Sequence, residues 1–142
     1  MPGELTKSVL IDAPASVIFK ALTDEKELVQ WMPRSARMDA RVGGEYEFRF
    51  YAAARDAETT ARGRIVELVP NRKLVYTFAS SRDAPGAPPS LLTWTLEEEP
   101  GGRTLVTLVH SGIGADAFHL FLGWGYYLNQ LAFHCPRMPV RT

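Results

Sequence analysis

Three histidines and one cysteine carry most of the nucleophilic and metal-binding capacity of this 142-residue chain, and their spacing limits what they can do. His110 closes an apolar run in the stretch TLVTLVHSG, residues 104–112. An imidazole at that place has three readings. It could be a polar handle for a ligand, a cap that bonds a loop carbonyl or Ser111, or a general base. A base needs an orienting partner and a substrate within reach. Nothing in the sequence fixes an acid beside His110, so it stands as the sole catalytic candidate, with Tyr76 or Tyr127 as its nearest chemical companions.

The remaining groups point away from catalysis and metal binding. His119 and His134 lie on one helical segment, about four turns apart, too far for one metal site. No metal is expected. Cys135 falls on an apolar helical stripe and reads as a small core residue rather than a nucleophile. Gly43-Gly44 follows a strand without opening a helix, so it reads as a turn and not as a phosphate loop. There is no GxSxG motif, and no cofactor is expected.

The elements that must position these residues follow from hydrophobic period. TKSVLI (6–11) reads as a strand. PASVIFKALT follows with Val17, Ile18, Ala21 and Leu22 on a helical stripe. DEKELVQW reads as a second helix, capped by Thr23 or Asp24, with Glu27 completing a capping box and Pro33 ending it. The middle of the chain alternates with period two. RMDARV reaches the Gly43-Gly44 turn, and EYEFRFYA puts Tyr46, Phe48 and Phe50 on one face. ARGRIVELV runs to the turn Pro70-Asn71. KLVYTFA aligns Leu74, Tyr76 and Phe78, and LLTWTLEEE aligns Leu92, Trp94 and Leu96. RTLVTLVH aligns Val106, Leu108 and His110, which puts the imidazole inside, at a strand end near the rim. Leu105 and Val109 face outward and leave a contact with a second copy open. Short strands joined by short turns imply an antiparallel meander. In ADAFHLFLGWGYYLNQLAFHC the residues Phe121, Trp124, Leu128, Leu131 and Cys135 repeat every three or four, one face of a helix of about five turns. Pro136 and Pro139 stop it.

The order strand, two short helices, about six strands, one long helix gives an α+β chain in which the last helix must bury its stripe on one curved sheet. The sheet's inner face is mainly aromatic, and two outcomes are open: a solid aromatic core, or a pocket beneath the helix. Composition bounds the rest. Hydrophobic residues make up 46% and charged residues 23%, ordinary for a globular domain of this length. Lys plus Arg and Asp plus Glu number 16 each, which argues against nucleic acid or an anionic membrane as the main partner. A lone cysteine excludes an intrachain disulfide and favours a reducing, cytoplasmic setting. No secretory leader and no apolar run near ~20 residues is seen.

The landmarks APASVIFKALTD, QWMP, RVGGEYEF, GRIVELVPNRKLVYTF and LTWTLEEEPGGRTLVTLVHSG, followed by a GW-containing helix, resemble the activator of heat-shock-protein-90 ATPase homologue family. That family lies within the START-like (SRPBCC, Bet v 1-like) superfamily. The likeness runs from about Ser8 to Cys135. It implies a helix-grip fold over one domain, 1–142: a curved antiparallel sheet of six to seven strands on a long C-terminal helix, with a cavity between them. Superfamily members bind lipids, hormones or polyketides, and a few catalyse cyclisation or hydrolysis. In the co-chaperone behind the family name such a domain is joined to a separate chaperone-binding domain, for which this chain has no room.

The reading that follows is a non-enzymatic protein with a hydrophobic cavity for a small apolar or amphipathic ligand. The cavity is expected at Phe48, Phe50, Tyr76, Phe78 and Trp94 on the sheet, Phe121, Trp124 and Leu128 on the helix, His110, and Trp31 near the mouth. Behind it stand a cyclase-like or hydrolase-like enzyme using His110, and a chaperone-associated protein acting through its surface.

Overall fold

A computed structural model describes residues 3–52, 57–83, 85–113 and 118–138. Seven strands form one antiparallel sheet: β1 (Gly3–Ile11), β2 (Ser35–Met38), β3 (Glu45–Ala52), β4 (Ala57–Val69), β5 (Lys73–Ser80), β6 (Ser90–Glu99) and β7 (Arg103–Ile113). Their spatial order is β1-β7-β6-β5-β4-β3-β2. Strands β2 to β7 are a meander, and the first strand returns to the edge of the last. Among the described residues three α-helices accompany the sheet, α1 (Ala15–Thr23), α2 (Glu25–Leu28) and α3 (Phe118–His134), and a short 3-10 turn, Cys135–Arg137, follows the last. The seven-stranded antiparallel sheet with a long C-terminal helix is the α+β arrangement expected from the order of elements, and it is the helix-grip fold that the family resemblance implies.

Alternation explains which side chains face the helix. Tyr46, Phe48, Leu74, Tyr76, Leu92, Trp94, Val106, Leu108 and His110 are all buried on the inner side. Trp124, Leu128 and Leu131 of α3, with Cys135 directly after it, are buried, so the three-four stripe faces the sheet wherever its side chains are described. Phe121, the first member of that stripe, lies outside the described side chains. The outward residues Leu105 and Val109 are only half-buried.

Several boundaries differ from the sequence reading. The second helix is one turn, not two. Asp24 caps it through the Lys26 N–H at 2.8 Å, while Glu27 turns away to His134 at 2.9 Å instead of closing a capping box. Glu25 also reaches out, accepting the Met38 N–H at 2.7 Å and tying the helix to β2. Trp31 therefore sits beyond the helix, buried, with its Nε1–H donated to the Ala21 carbonyl at 2.9 Å. The RMDARV segment is strand only to Met38; residues 39–44 turn, held by backbone bonds such as Gly44 N–H to the Arg41 carbonyl at 2.9 Å. Strand β7 does not end at His110. It continues to Ile113, with Gly112 at φ +76° beside an irregularity in the β1–β7 register. His110 is thus an interior position of the strand with no exposed surface, and the expectation that it lies near the rim is corrected.

A close approach occurs between β4 and β5. Tyr46 stands directly across from Gly63, and its hydroxyl passes over that glycine to the Thr77 carbonyl at 2.6 Å. On the neighbouring residue the Arg64 N–H is donated to Thr77 Oγ1 at 2.9 Å. An aromatic ring laid over a cross-strand glycine covers backbone that would otherwise be bare. A side chain at 63 would occupy the space of the Thr77 peptide.

Candidate functional site: the aromatic layer under the last helix

The layer between α3 and the sheet is a chain of rings in mutual contact. Trp31 meets Trp94 at 6.3 Å between centroids, Trp94 meets Trp124 at 5.8 Å, and Trp124 meets Tyr127 at 6.3 Å. Tyr127 continues to Phe50 at 5.8 Å and Phe50 to Phe48 at 6.5 Å. Phe78 lies against His110 at 5.2 Å and Trp124 at 6.4 Å. Most of these pairs are edge-to-face, the geometry ring quadrupoles favour. The floor rings are fully buried, whereas Phe50, Phe78 and Tyr127 are half-buried and form the side of the layer that reaches solvent.

Polar atoms in the layer satisfy one another. The indole Nε1–H of Trp124 is donated to His110 Nδ1 at 3.1 Å. That ring nitrogen must therefore be unprotonated, which leaves the hydrogen on Nε2. Nε2–H then donates to Ser90 Oγ at 2.7 Å, and Ser90 donates its own hydrogen to the Phe78 carbonyl at 3.0 Å. A second relay runs from Trp94 Nε1–H to the Tyr76 hydroxyl at 3.0 Å. Among the described residues no buried side-chain nitrogen or oxygen lacks a partner.

This wiring fixes the chemistry of His110. Burial disfavours the imidazolium and pushes the pKa down to about 4, opposed in smaller measure by Asp83. The ring is neutral at pH 7, and both nitrogens are engaged within the protein. The Ser90–His110 contact has the distance of a nucleophile–base pair but the opposite polarity: the histidine donates, and the serine hydrogen already points to a carbonyl. Burial likewise raises the phenol pKa of Tyr76 and of Tyr46, and pushes the Cys135 thiol up to about 12. None is poised to ionise near neutrality.

The structure brings Phe48, Phe50, Tyr76, Phe78, Trp94, His110, Trp124 and Leu128 into one layer. Trp31 joins it from the far end, through Trp94, as a buried ring rather than at a mouth. Phe121 cannot be positioned from the described side chains. His134 pairs with Glu27, and among the described residues no group of three potential ligands gathers for a metal. Ser90 is hidden in the sequence because it closes the Gly- and Pro-rich segment SRDAPGAPPS, yet its parity with Leu92, Trp94 and Leu96 carries the signal that it faces inward. Three surface depressions bordered by described residues lie elsewhere. They have volumes of about 550, 470 and 810 Å³, and border on Arg37 and Arg62, on Asp39 and Arg41, and on Arg72 and Glu97 respectively. No described helix is long and apolar enough to cross a membrane.

Comparison with known proteins agrees with this architecture. A solved structure of protein CV1439 from Chromobacterium violaceum is 30% identical, covers 94% of this chain and 98% of its own, and superposes with a TM-score of 0.83. CalU16 from Micromonospora echinospora is 24% identical over 94% of this chain and 76% of its own, with a TM-score of 0.76. The Aha1 dimer from Colwellia psychrerythraea, solved in solution, is 20% identical over 94% of this chain and 96% of its own, with a TM-score of 0.79. No match was found among curated proteins. The family model described as Activator of Hsp90 ATPase homolog 1-like protein matches residues 12–134. Spanning six of the seven strands and the last helix, that match makes the chain a member of the Activator of Hsp90 ATPase homolog 1-like family.

Proposed function

We propose that the protein is a non-enzymatic binding protein that takes up a small apolar molecule in the aromatic layer between the sheet and α3. The observation that carries this reading is the make-up of the layer. Its rings are uncharged, the polar atoms buried among them, such as the Tyr76 hydroxyl and the Trp94 and Trp124 indole N–H groups, are bonded within the protein, and its outer members Phe50, Phe78 and Tyr127 are half-buried. Those three rings can turn aside without uncovering a buried charge. A ligand that lies against the rings they cover buries carbon surface at roughly 25 cal/mol per Å², before the cost of association. A catalytic reading through His110 lacks a free ring nitrogen: the one lone pair that could take a proton, on Nδ1, already accepts the Trp124 indole N–H, and Nε2 is engaged with Ser90. The chain's one cysteine, Cys135, is a free thiol, in keeping with a reducing compartment such as the cytoplasm.

A thermal-shift screen of fatty acids, steroids and aromatic compounds tests the reading. A ligand present at a hundredfold over its Kd should add about 2.7 kcal/mol of stability, a shift of several degrees for a domain of this size. Absence of any shift across the three classes would contradict it.

A further inference from the structure

Beyond His110, the ends of β5, β6 and β7 carry Phe78, Ser90 and Gly112: a half-buried ring, a half-buried hydroxyl and an exposed glycine at the irregularity of β7. Phe78 and Ser90 are direct cross-strand partners, and a Cβ on Gly112 would come within 3.6 Å of the Ser90 Cα, so the three are neighbours. The rings of His110 and Trp124 close the inner side, each in contact with Phe78.

Ser90 sets the polarity of this corner. A hydroxyl has one hydrogen to give and two lone pairs to accept with. The hydrogen goes to the Phe78 carbonyl and one lone pair takes the His110 Nε2–H. Among the described residues no donor meets the second lone pair. His110 offers nothing further, because Trp124 occupies its other nitrogen. A molecule entering here meets aromatic surface and one hydrogen-bond acceptor. No buried cation among the described residues is available to receive a carboxylate.

We propose that the Phe78–Ser90–Gly112 corner is the recognition point of the binding site, selecting an uncharged aromatic ligand that carries a hydrogen-bond donor, of the phenol or aryl-alcohol type, bonded to Ser90 Oγ. This inference rests on the binding function proposed above and adds its ligand class. A carboxylate in the same place would be desolvated and would face a lone pair with no donor to meet it.

Equilibrium dialysis of the full chain at neutral pH against 2-naphthol, 2-methoxynaphthalene and 2-naphthoate separates the terms. The naphthol should bind, the methyl ether about threefold to tenfold more weakly for loss of one neutral hydrogen bond, and the carboxylate more weakly than the ether. Ser90→Ala should bring the naphthol down to the level of the ether while leaving the ether unchanged. Equal binding of naphthol and ether to the unmodified protein, or preference for the carboxylate, overturns the donor-selective corner even if the thermal-shift screen finds an apolar ligand. That pair needs no variant to fold. Failure of all three to bind overturns the assignment of ligand class, and the thermal-shift screen separately decides the binding function.

Discussion

Gly63→Ala is expected to destabilise the protein by about 3 kcal/mol or more, enough to lower the yield of folded protein. The strand pair leaves no room for even a methyl group. A Cβ at 63 would run into the Thr77 carbonyl oxygen, with Thr77 Oγ1 at 2.7 Å. The obstacle is backbone and cannot rotate away. Forced overpacking of this kind costs typically 1–3 kcal/mol and occasionally more. Moving Thr77 would also break the bond from the Tyr46 hydroxyl and the bond to the Arg64 N–H, at about 1 kcal/mol each. Urea denaturation of the variant measures the loss. Gly123→Ala is the natural control, since a Cβ there meets no neighbour within 4 Å. A Gly63 variant as stable as the wild type would mean that the β4–β5 approach is looser than described.

The second large effect concerns His110 and its proton. The unfolded chain takes up a proton on this ring near its ordinary value of 6.5, and the folded protein only near pH 4. Between those values the unfolded state binds more protons, so stability rises with pH across the window. The contribution is complete above about pH 6.5 and is lost as the pH falls towards 4, a loss of roughly 3 kcal/mol. His110→Gln should remove this dependence, because a glutamine amide can donate to Ser90 and accept from Trp124 but does not titrate. His110→Ala should instead destabilise at every pH by about 3–5 kcal/mol, from a cavity and from two buried polar groups left without their partner. Denaturation curves of the three proteins from pH 4 to 8 distinguish these outcomes. An unchanged pH profile in His110→Gln would mean that the ring is not held neutral by burial.

Much of this fold is legible in the sequence because burial has a period. Alternation in EYEFRFYA, KLVYTFA, LLTWTLEEE and RTLVTLVH marks the inner face without reference to neighbours, and the three-four spacing of Trp124, Leu128 and Leu131 marks the helix face in the same way. What escapes is set by partners distant in sequence. His110 is joined to Ser90 and Trp124, twenty and fourteen residues away, so the local cap through Ser111 or a loop carbonyl that its position suggests is not the bond it makes. The strand past His110 is hidden because Ser111-Gly112 reads as a turn, whereas pairing with β1 and positive φ at Gly112 carry the strand to Ile113. The second helix is shorter than its composition suggests because after Leu28 the backbone bonds tighten to three-residue turns, Gln30 N–H to the Glu27 carbonyl and Trp31 N–H to the Leu28 carbonyl, which no residue type in the segment announces. Gly63 looks like any strand glycine until Tyr46 is seen lying across it.

The most direct test of the binding site is the set of three indole N–H resonances in a ¹⁵N spectrum, recorded as a stabilising compound from the screen is added. Trp124 donates its N–H inside the layer at His110, beside the half-buried Phe78 and Tyr127. Trp31 donates its own to Ala21 at the far end. The account predicts that the Trp124 resonance moves saturably, by more than that of Trp94, while that of Trp31 stays nearly fixed. Saturable binding that leaves the Trp124 resonance where it was would put the ligand outside the layer and contradict the account.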